Sequence, residues 1–340
     1  MQTYLNSRTH KSFELPIFLP VYHPRESFIP IDTWPTEFNI QGCIVNAFFL
    51  YKQREIRNAL KKGLTIRDIV KFPGLIMTDS GAFQGFHGRL FLENKTIVKF
   101  QEAIGADIIS PLDIVTPPYD KKELAEKKLK TTLARVQEAI GVVQEGILAG
   151  VQQGGKFLDL RRSATEALLT MGVQYLALGS LVPFFNKNHE LGFVGNVIRD
   201  ARNMCGEGFP IHVYGAGDPV EIPFLIELGA TIFDSSAYAH YARSGWYMTP
   251  FGAIQDAGPL ISGEFSCSCR FCSQMNKPED IFSDERSLEA HNLWTIMQTI
   301  NQVIKAKQEN SFHQLLEQIL EQHMYWFPKS ALHSSWSNLK

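Results

Sequence analysis

The chain has 340 residues, 44% of them hydrophobic and 20% charged, with a net charge of −2. Such a composition is that of an ordinary globular protein, and at this length folding buries roughly three quarters of the unfolded surface, so core size is not limiting. The near-neutral charge lacks the global basic signature that many nucleic-acid binders show, which leaves a local basic patch as the electrostatic route to a polynucleotide.

The opening stretch MQTYLNSRTHKSFELPIFLP has no apolar segment of the secretory kind. The most apolar long window, LALGSLVPFF at 176–185, is broken by Gly, Ser and Pro and falls short of the ~20 residues a membrane span requires. The expectation is a cytoplasmic protein without a membrane partner.

Short apolar runs then follow in chain order: LPIFLP (15–20), CIVNAF (43–48), LIMTD (75–79), IISPLD (108–113), GILAGVQ (146–152), QYLALG (174–179), IHVYG (211–215) and TIFD (231–234). Segments with helical periodicity separate most of them, 122–143 and 157–172 being the clearest. Eight strand–helix units in series predict an α/β fold, a closed (β/α)8 TIM barrel. A doubly wound open sheet is the alternative; it usually carries a glycine-rich phosphate turn after its first strand, and this chain has none.

In such barrels the chemistry sits at the C-terminal ends of the strands. Those ends read Asn46, Asp79, Asp113, Gln152–Gln153, Gly179–Ser180, Gly215 and Asp234. A single Asp after a strand commonly caps the next helix or makes an Asx turn. Three carboxylates and an amide pair around one rim point instead to a polar site. Tyr214 heads one glycine-rich exit and Phe83 follows another. Carboxylate and amide edges beside aromatic faces suit a planar hydrogen-bonding heterocycle such as a nucleobase, with a sugar as the other ligand class.

Three of the five cysteines lie in CSCRFC, and with His291 they read C-x-C-x2-C-x18-H. Cys267, Cys269, Cys272 and His291 would make a closed tetrahedral Zn2+ site, structural because no position is open to water. The bland reading is three reduced cysteines in a turn and a surface histidine. The segment 288–307 reads as a helix that would pin His291 to the cysteine loop, and 312–330 as one amphipathic helix. The lysine-rich stretch 121–130 reads as a solvated helix face with pairs such as Glu126–Lys130, while Arg243, Lys277 and Arg286 are better placed to meet phosphates.

These motifs together are similar to one family. MTDSGAFQ, LDIVTPPYD, GVQQGG, LALGSLVP, HVYGAGDP, IFDSSAYAHYARSGWYMTP and CSCRFC with His291 resemble the tRNA-guanine transglycosylases, most closely the archaeosine-type branch, in that family's order from near residue 15 to about residue 307. The resemblance implies a barrel domain over 1–310 that includes a zinc subdomain at about 260–310, followed at 311–340 by a C-terminal helix and tail. It implies exchange of guanine in a polynucleotide for a 7-deazaguanine base such as preQ0. Asp234 matches the family's nucleophile and Asp79 its second catalytic aspartate. Asp113 and Gln153 match groups that hold the edge of the base, and Phe83 and Tyr214 the stacking positions; Gly179, Ser180 and Gly215, at neighbouring strand exits, are expected to line the same base pocket. Cys267, Cys269, Cys272 and His291 match the zinc ligands. A homodimer or a paralogous partner subunit is likewise implied by the family.

Such exchange with retention needs two displacements at C1′, so one carboxylate attacks while the other moves protons, as in retaining glycosidases. No redox or nucleotide cofactor is required. The chain departs from the family pattern at Ala82 and Ser180, where glycines are usual. It also stops soon after 312–330, short of the family's C-terminal RNA-binding domains. The expected function is therefore a pentosyltransferase acting on tRNA. Alternatives are a paralogue inserting 7-deazaguanine into DNA and a non-catalytic nucleic-acid-binding subunit.

Overall fold

Eight parallel strands close into a ring in the computed structural model, which describes residues 4–24, 26–82 and 92–340. They are β1 (Ile17–Tyr22), β2 (Gly42–Asn46), β3 (Leu75–Asp79), β4 (Ile108–Ile109), β5 (Ile147–Leu148 and Gly150–Gln152, interrupted at Ala149), β6 (Leu176–Leu178), β7 (Ile211–Val213) and β8 (Ile232–Ser235). The two halves of β5 stand at opposite ends of the hydrogen-bonded order, so their continuity through Ala149 completes the circle. Each apolar run singled out in the sequence is one of these strands. β8 pairs with β1 in the register Ile232↔Ile17 and Asp234↔Leu19, the closure an open sheet would lack.

Alternation along the strands divides the apolar side chains into two cores. Ile17, Leu19, Ile44, Leu75, Met77, Ile108, Val151, Tyr175, Ala177 and Ile232 fill the barrel interior. The residues between them, among them Phe18, Val45, Ile76, Leu178, Val213 and Phe233, pack outward against the helices. An antiparallel hairpin, Tyr4–Asn6 with Ser12–Glu14, adds Leu5 and Phe13 to the interior and closes the end where the strands begin.

The helix Lys122–Ile140 buries Ala125, Leu129, Thr132, Val136 and Ala139 and stops at Gly141. Its exposed lysines include Lys130, with Nζ 2.8 Å from Glu126, and Lys122, with Nζ 2.6 Å from Asp159, whereas Lys128 turns to the buried Asp120. The long helix Glu285–Gln308 starts three residues earlier than its periodicity suggested, because Asp284 caps it by accepting from the Ser287 N–H at 3.2 Å. It packs on β1 and on the helices Ile222–Glu227 and Ala237–Arg243, completing the outer ring while carrying His291 in its second turn.

The C-terminal reading needs a correction. The helix expected over 312–330 ends at Trp326, two residues before Pro328, which has no N–H to continue it. A further helix, Leu332–Leu339, follows and places Leu332, Trp336 and Leu339 in the main core. Ring centroids of Trp336 and Phe224 lie 5.0 Å apart, edge to face. Its eight residues carry three serines and one asparagine, so no periodic signal announces it.

Candidate active site and metal centre

Strand parity selects the side chains at the barrel mouth. Met77, Val151, Ala177 and Ile232 face the interior; two residues further along, Asp79, Gln153, Gly179 and Asp234 share their phase. Gln152 does not. Its amide donates to Thr165 Oγ1 at 2.8 Å and accepts from Arg161 Nη1 at 2.9 Å, behind the sheet. The expected pair of rim amides on β5 is thus reduced to Gln153.

Asp234, only 9% exposed, ends the interior face of β8. Its Oδ1 accepts from the Gly215 N–H at 3.2 Å and lies 2.8 Å from His212 Nε2. Gly215 has a left-handed φ of 77°, and a side chain there would collide with Val182, so glycine lets the β7 exit bring its N–H to the carboxylate.

Asp79 stands beside Asn46 in the β2–β3 register, and Asn46 Nδ2 donates to its Oδ2 at 3.2 Å. Burial, then the neighbouring Asp113 and Asp234 charges, push the Asp79 carboxyl up to about 7 against the N–H groups of Gly81 and Ser80. Near neutral pH it both holds and releases a proton, as a general acid–base group must. Asp113 accepts from Gln153 Nε2 at 2.5 Å; burial raises its pKa while this bond and Arg135 oppose the rise. Gln153 Oε1 is buried with no hydrogen-bond partner among the described residues. A Cβ on Gly179 would come within 2.5 Å of the Gln153 amide nitrogen, so the bare backbone there makes room for that side chain.

Tyr214 is half-buried, its hydroxyl 3.0 Å from Ser110 Oγ and its ring edge-on to His212 at 4.7 Å. Ser180 adopts a left-handed φ of 55°, a conformation that disfavours a side chain and gives a physical reason for glycine at this position. Its hydroxyl accepts from the Thr116 N–H at 2.9 Å, joining the β6 exit to the loop after Asp113. Ala82 packs partly buried against the main core. Phe83 lies outside the described residues.

Three residues of this site escaped the sequence reading. Arg161 is 1% exposed and meets no carboxylate among the described residues; its guanidinium donates to Gly155 O at 2.7 Å and to Gly179 O at 3.2 Å, clamping the β5 and β6 exits. Burial lowers its pKa to about 9. Sequence gives no sign of it, since Arg162 beside it is an exposed partner of Asp200. His212 and Tyr175 lie inside the barrel, with Tyr175 Oη 2.8 Å from His212 Nδ1. A histidine in phase with Tyr214 on an apolar strand was the available signal.

Cys267, Cys269, Cys272 and His291 come together as the sequence spacing implied, with one ligand atom from each lying within 4.8 Å of all the others. The three sulfurs surround His291 Nδ1 at 3.6, 3.5 and 3.4 Å. His291 Nε2 is 2.8 Å from Met248 O. A carbonyl only accepts, so the hydrogen sits on Nε2 and Nδ1 keeps its lone pair for a metal. Tyr247 stacks on the imidazole at 3.7 Å between centroids. The donor set and the tautomer both fit a metal ion. Arg243, Lys277 and Arg286 are exposed nearby. No helix among the described residues is long and apolar enough to cross a membrane.

A family model described as queuine tRNA-ribosyltransferase matches residues 4–325. Among curated relatives, the tRNA-guanine(15) transglycosylase of Pyrococcus furiosus is 35% identical over 92% of this chain and 53% of its own length. That of Methanocaldococcus jannaschii is 32% identical over 92% of this chain and 49% of its own length. The Methanosarcina barkeri protein is 33% identical over 96% of this chain and 67% of its own length. The chain therefore spans about half the length of the first two relatives. The match over nearly all its residues, with the motifs at the mouth and the cysteine cluster inside it, means that this chain belongs to the queuine tRNA-ribosyltransferase family.

Proposed function

We propose that the protein exchanges guanine in tRNA for a 7-deazaguanine base through a covalent ribosyl ester of Asp234. The observation that carries this reading is the pairing at one mouth of two unlike carboxylates. Asp234 has one oxygen tied to Gly215 and His212, while Asp79 is raised to about 7. A buried carboxyl raised toward neutrality suits the acid–base role, and a rigidly held carboxylate beside it suits the nucleophile.

In the first displacement an Asp234 oxygen forms a bond to C1′ as the bond from C1′ to guanine breaks, and Asp79 supplies the proton the departing base takes up. In the second, the incoming base gives its ring N–H proton back to Asp79 and attacks C1′, returning the electron pair to Asp234. Asp113 and the Gln153 amide, bonded to one another at 2.5 Å, offer acceptor and donor edges to the guanine-type base, with Gly179, Ser180 and Gly215 framing its path. Phe83 and Tyr214 take the stacking positions. The curated relatives carry tRNA and position 15 in their names, and this supports tRNA over DNA.

Zn2+ is the metal we assign to Cys267, Cys269, Cys272 and His291, where it would supply a structural crosslink between the cysteine loop and the helix Glu285–Gln308. Thiolate and imidazole donors are those zinc prefers.

Incorporation of labelled guanine and labelled 7-deazaguanine bases into matched tRNA and duplex DNA tests the reading, with Asp234→Asn as control. Label in tRNA and a denaturation-resistant adduct mapped to residue 234 are expected. Label in DNA alone replaces the substrate, and exchange without any adduct removes the covalent step.

A further inference from the structure

We infer that His212 is a positioning residue for Asp234, committing Oδ1 to the protein so that Oδ2 is the oxygen that attacks. This rests on the covalent reading above and deepens it. His212 has no solvent exposure. Its Nδ1 lies 2.8 Å from the Tyr175 hydroxyl, and its Nε2 lies 2.8 Å from Asp234 Oδ1. A carboxylate only accepts, so the nitrogen facing it carries the hydrogen. Tyr175 then donates to Nδ1 and fixes that tautomer; its other acceptor, the Met77 sulfur, is 3.8 Å away.

The contact to Asp234 is short but bent. The hydrogen on Nε2 is not aimed along the line to Oδ1, which leaves this buried group without a well-formed hydrogen bond to any acceptor among the described residues. Catalytic hydrogen bonds are often misaligned before substrate enters and tighten as the site fills. The Gly215 N–H approaches the same oxygen at 3.2 Å, and among the described residues no hydrogen bond reaches Oδ2. One hydrogen bond and one short, bent contact on Oδ1 leave Oδ2 with its lone pairs free.

The consequence differs between the two displacements. When Oδ2 bonds to C1′ and the pair from the broken C1′–N bond leaves with guanine, Oδ1 becomes the ester carbonyl oxygen. When the incoming base expels the ester, the returning pair spreads onto Oδ1, where the His212 and Gly215 hydrogens meet it. Preorganised donors of this kind favour departure of the carboxylate. Removing the His212 donor therefore slows the second step more than the first, and ester accumulates.

The test compares wild type, His212→Phe, His212→Gln, Tyr175→Phe and Asp234→Asn by exchange kinetics, by the fraction of protein trapped as adduct on tRNA, and by melting temperature. His212→Phe should lower turnover by about 100-fold or more, as loss of one charge-stabilising donor does. The Michaelis constant for the incoming base should move less than about threefold, and the trapped fraction should rise. His212→Gln retains a donor near Nε2 and should recover to within about fivefold of wild type; Tyr175→Phe should lose about three- to tenfold and also raise the trapped fraction. An unchanged trapped fraction in His212→Phe, or a Gln variant as defective as Phe, overturns the inference. Should His212→Phe not fold, Tyr175→Phe decides alone, and wild-type turnover with a wild-type adduct fraction overturns it. Exchange by wild type without any adduct overturns the covalent reading and this inference together, whereas an adduct at Asp234 indifferent to residues 212 and 175 overturns only this inference.

Discussion

The barrel mouth and the cysteine cluster are built by opposite means. At the mouth, Asp79, Gln153 and Asp234 are aimed by strand parity and held by backbone and side-chain donors such as Gly215 N–H and Asn46 Nδ2. Rigid strands aim such side chains more precisely than loops do. The cysteines stand on a loop and a one-turn helix, Arg270–Ser273, and their sulfurs gather around the helix-borne His291 and Tyr247, with two of them accepting from the Cys269 and Cys272 N–H groups. Three thiols at one point have little reason to stay together without a cation. A strand-built site tolerates the loss of one functional group, whereas a loop-built site depends on the ion its ligands share.

Several substitutions would break or sharpen that contrast. Asp234→Asn should lower exchange by roughly 10⁶-fold, the scale of losing a nucleophile, with melting little changed; a comparable fall in stability would mean the carboxylate is structural. Cys269→Ser should do the reverse. Loss of a metal ligand from a residue only 1% exposed should remove about 4 kcal/mol and roughly 10 °C of melting temperature. A strong chelator should reproduce the effect in wild type and add little in the variant.

Asp79→Asn should lower exchange about 100-fold or more while changing the pH dependence of stability. The carboxyl is raised from 3.8 to about 7 in the fold, so its contribution is full at acid pH and is lost as the pH rises through about 7. In denaturant titrations the variant should gain on wild type by up to about 1.4 kcal/mol per pH unit across that window. A constant offset between the two would contradict the assignment.

Arg161→Met should cost about 3 kcal/mol, because the carbonyls of Gly155 and Gly179 lose their buried donor. It should also raise the Michaelis constant for the base, which steady-state kinetics would show. Ser180→Gly should have the smallest effect. Relief of the left-handed backbone is worth about 1 kcal/mol and loss of the bond from Thr116 about the same, so melting should move little while base affinity changes a few-fold.

Much of the mouth was legible because a strand end carrying an acid in phase with an apolar interior is a one-dimensional pattern. Asp79 and Asp234 could be found that way, and the cysteine spacing likewise brought His291 to the right partners. Gln152 misled because two adjacent amides look alike until the phase of Ala149 and Val151 is known. Arg161 was invisible because burial of a helical arginine depends on what packs over it, and Arg162 beside it has the same chemistry and a different fate. The helix Leu332–Leu339 was missed because Trp336 earns its place by meeting Phe224, a contact between residues far apart in the chain.

By itself the sequence determined the number of strands, their alternation and the chemical types at their ends, since these follow from periodicity and residue identity along a single chain. Tertiary structure decided which end residues face the mouth, that β8 closes on β1, that Asp79 is raised by burial and by Asp113 and Asp234, and that His212 meets Asp234 from inside the barrel. Each depends on a distance through space between strands, and the electrostatic and hydrogen-bonding forces that set the site act over that distance rather than along the chain.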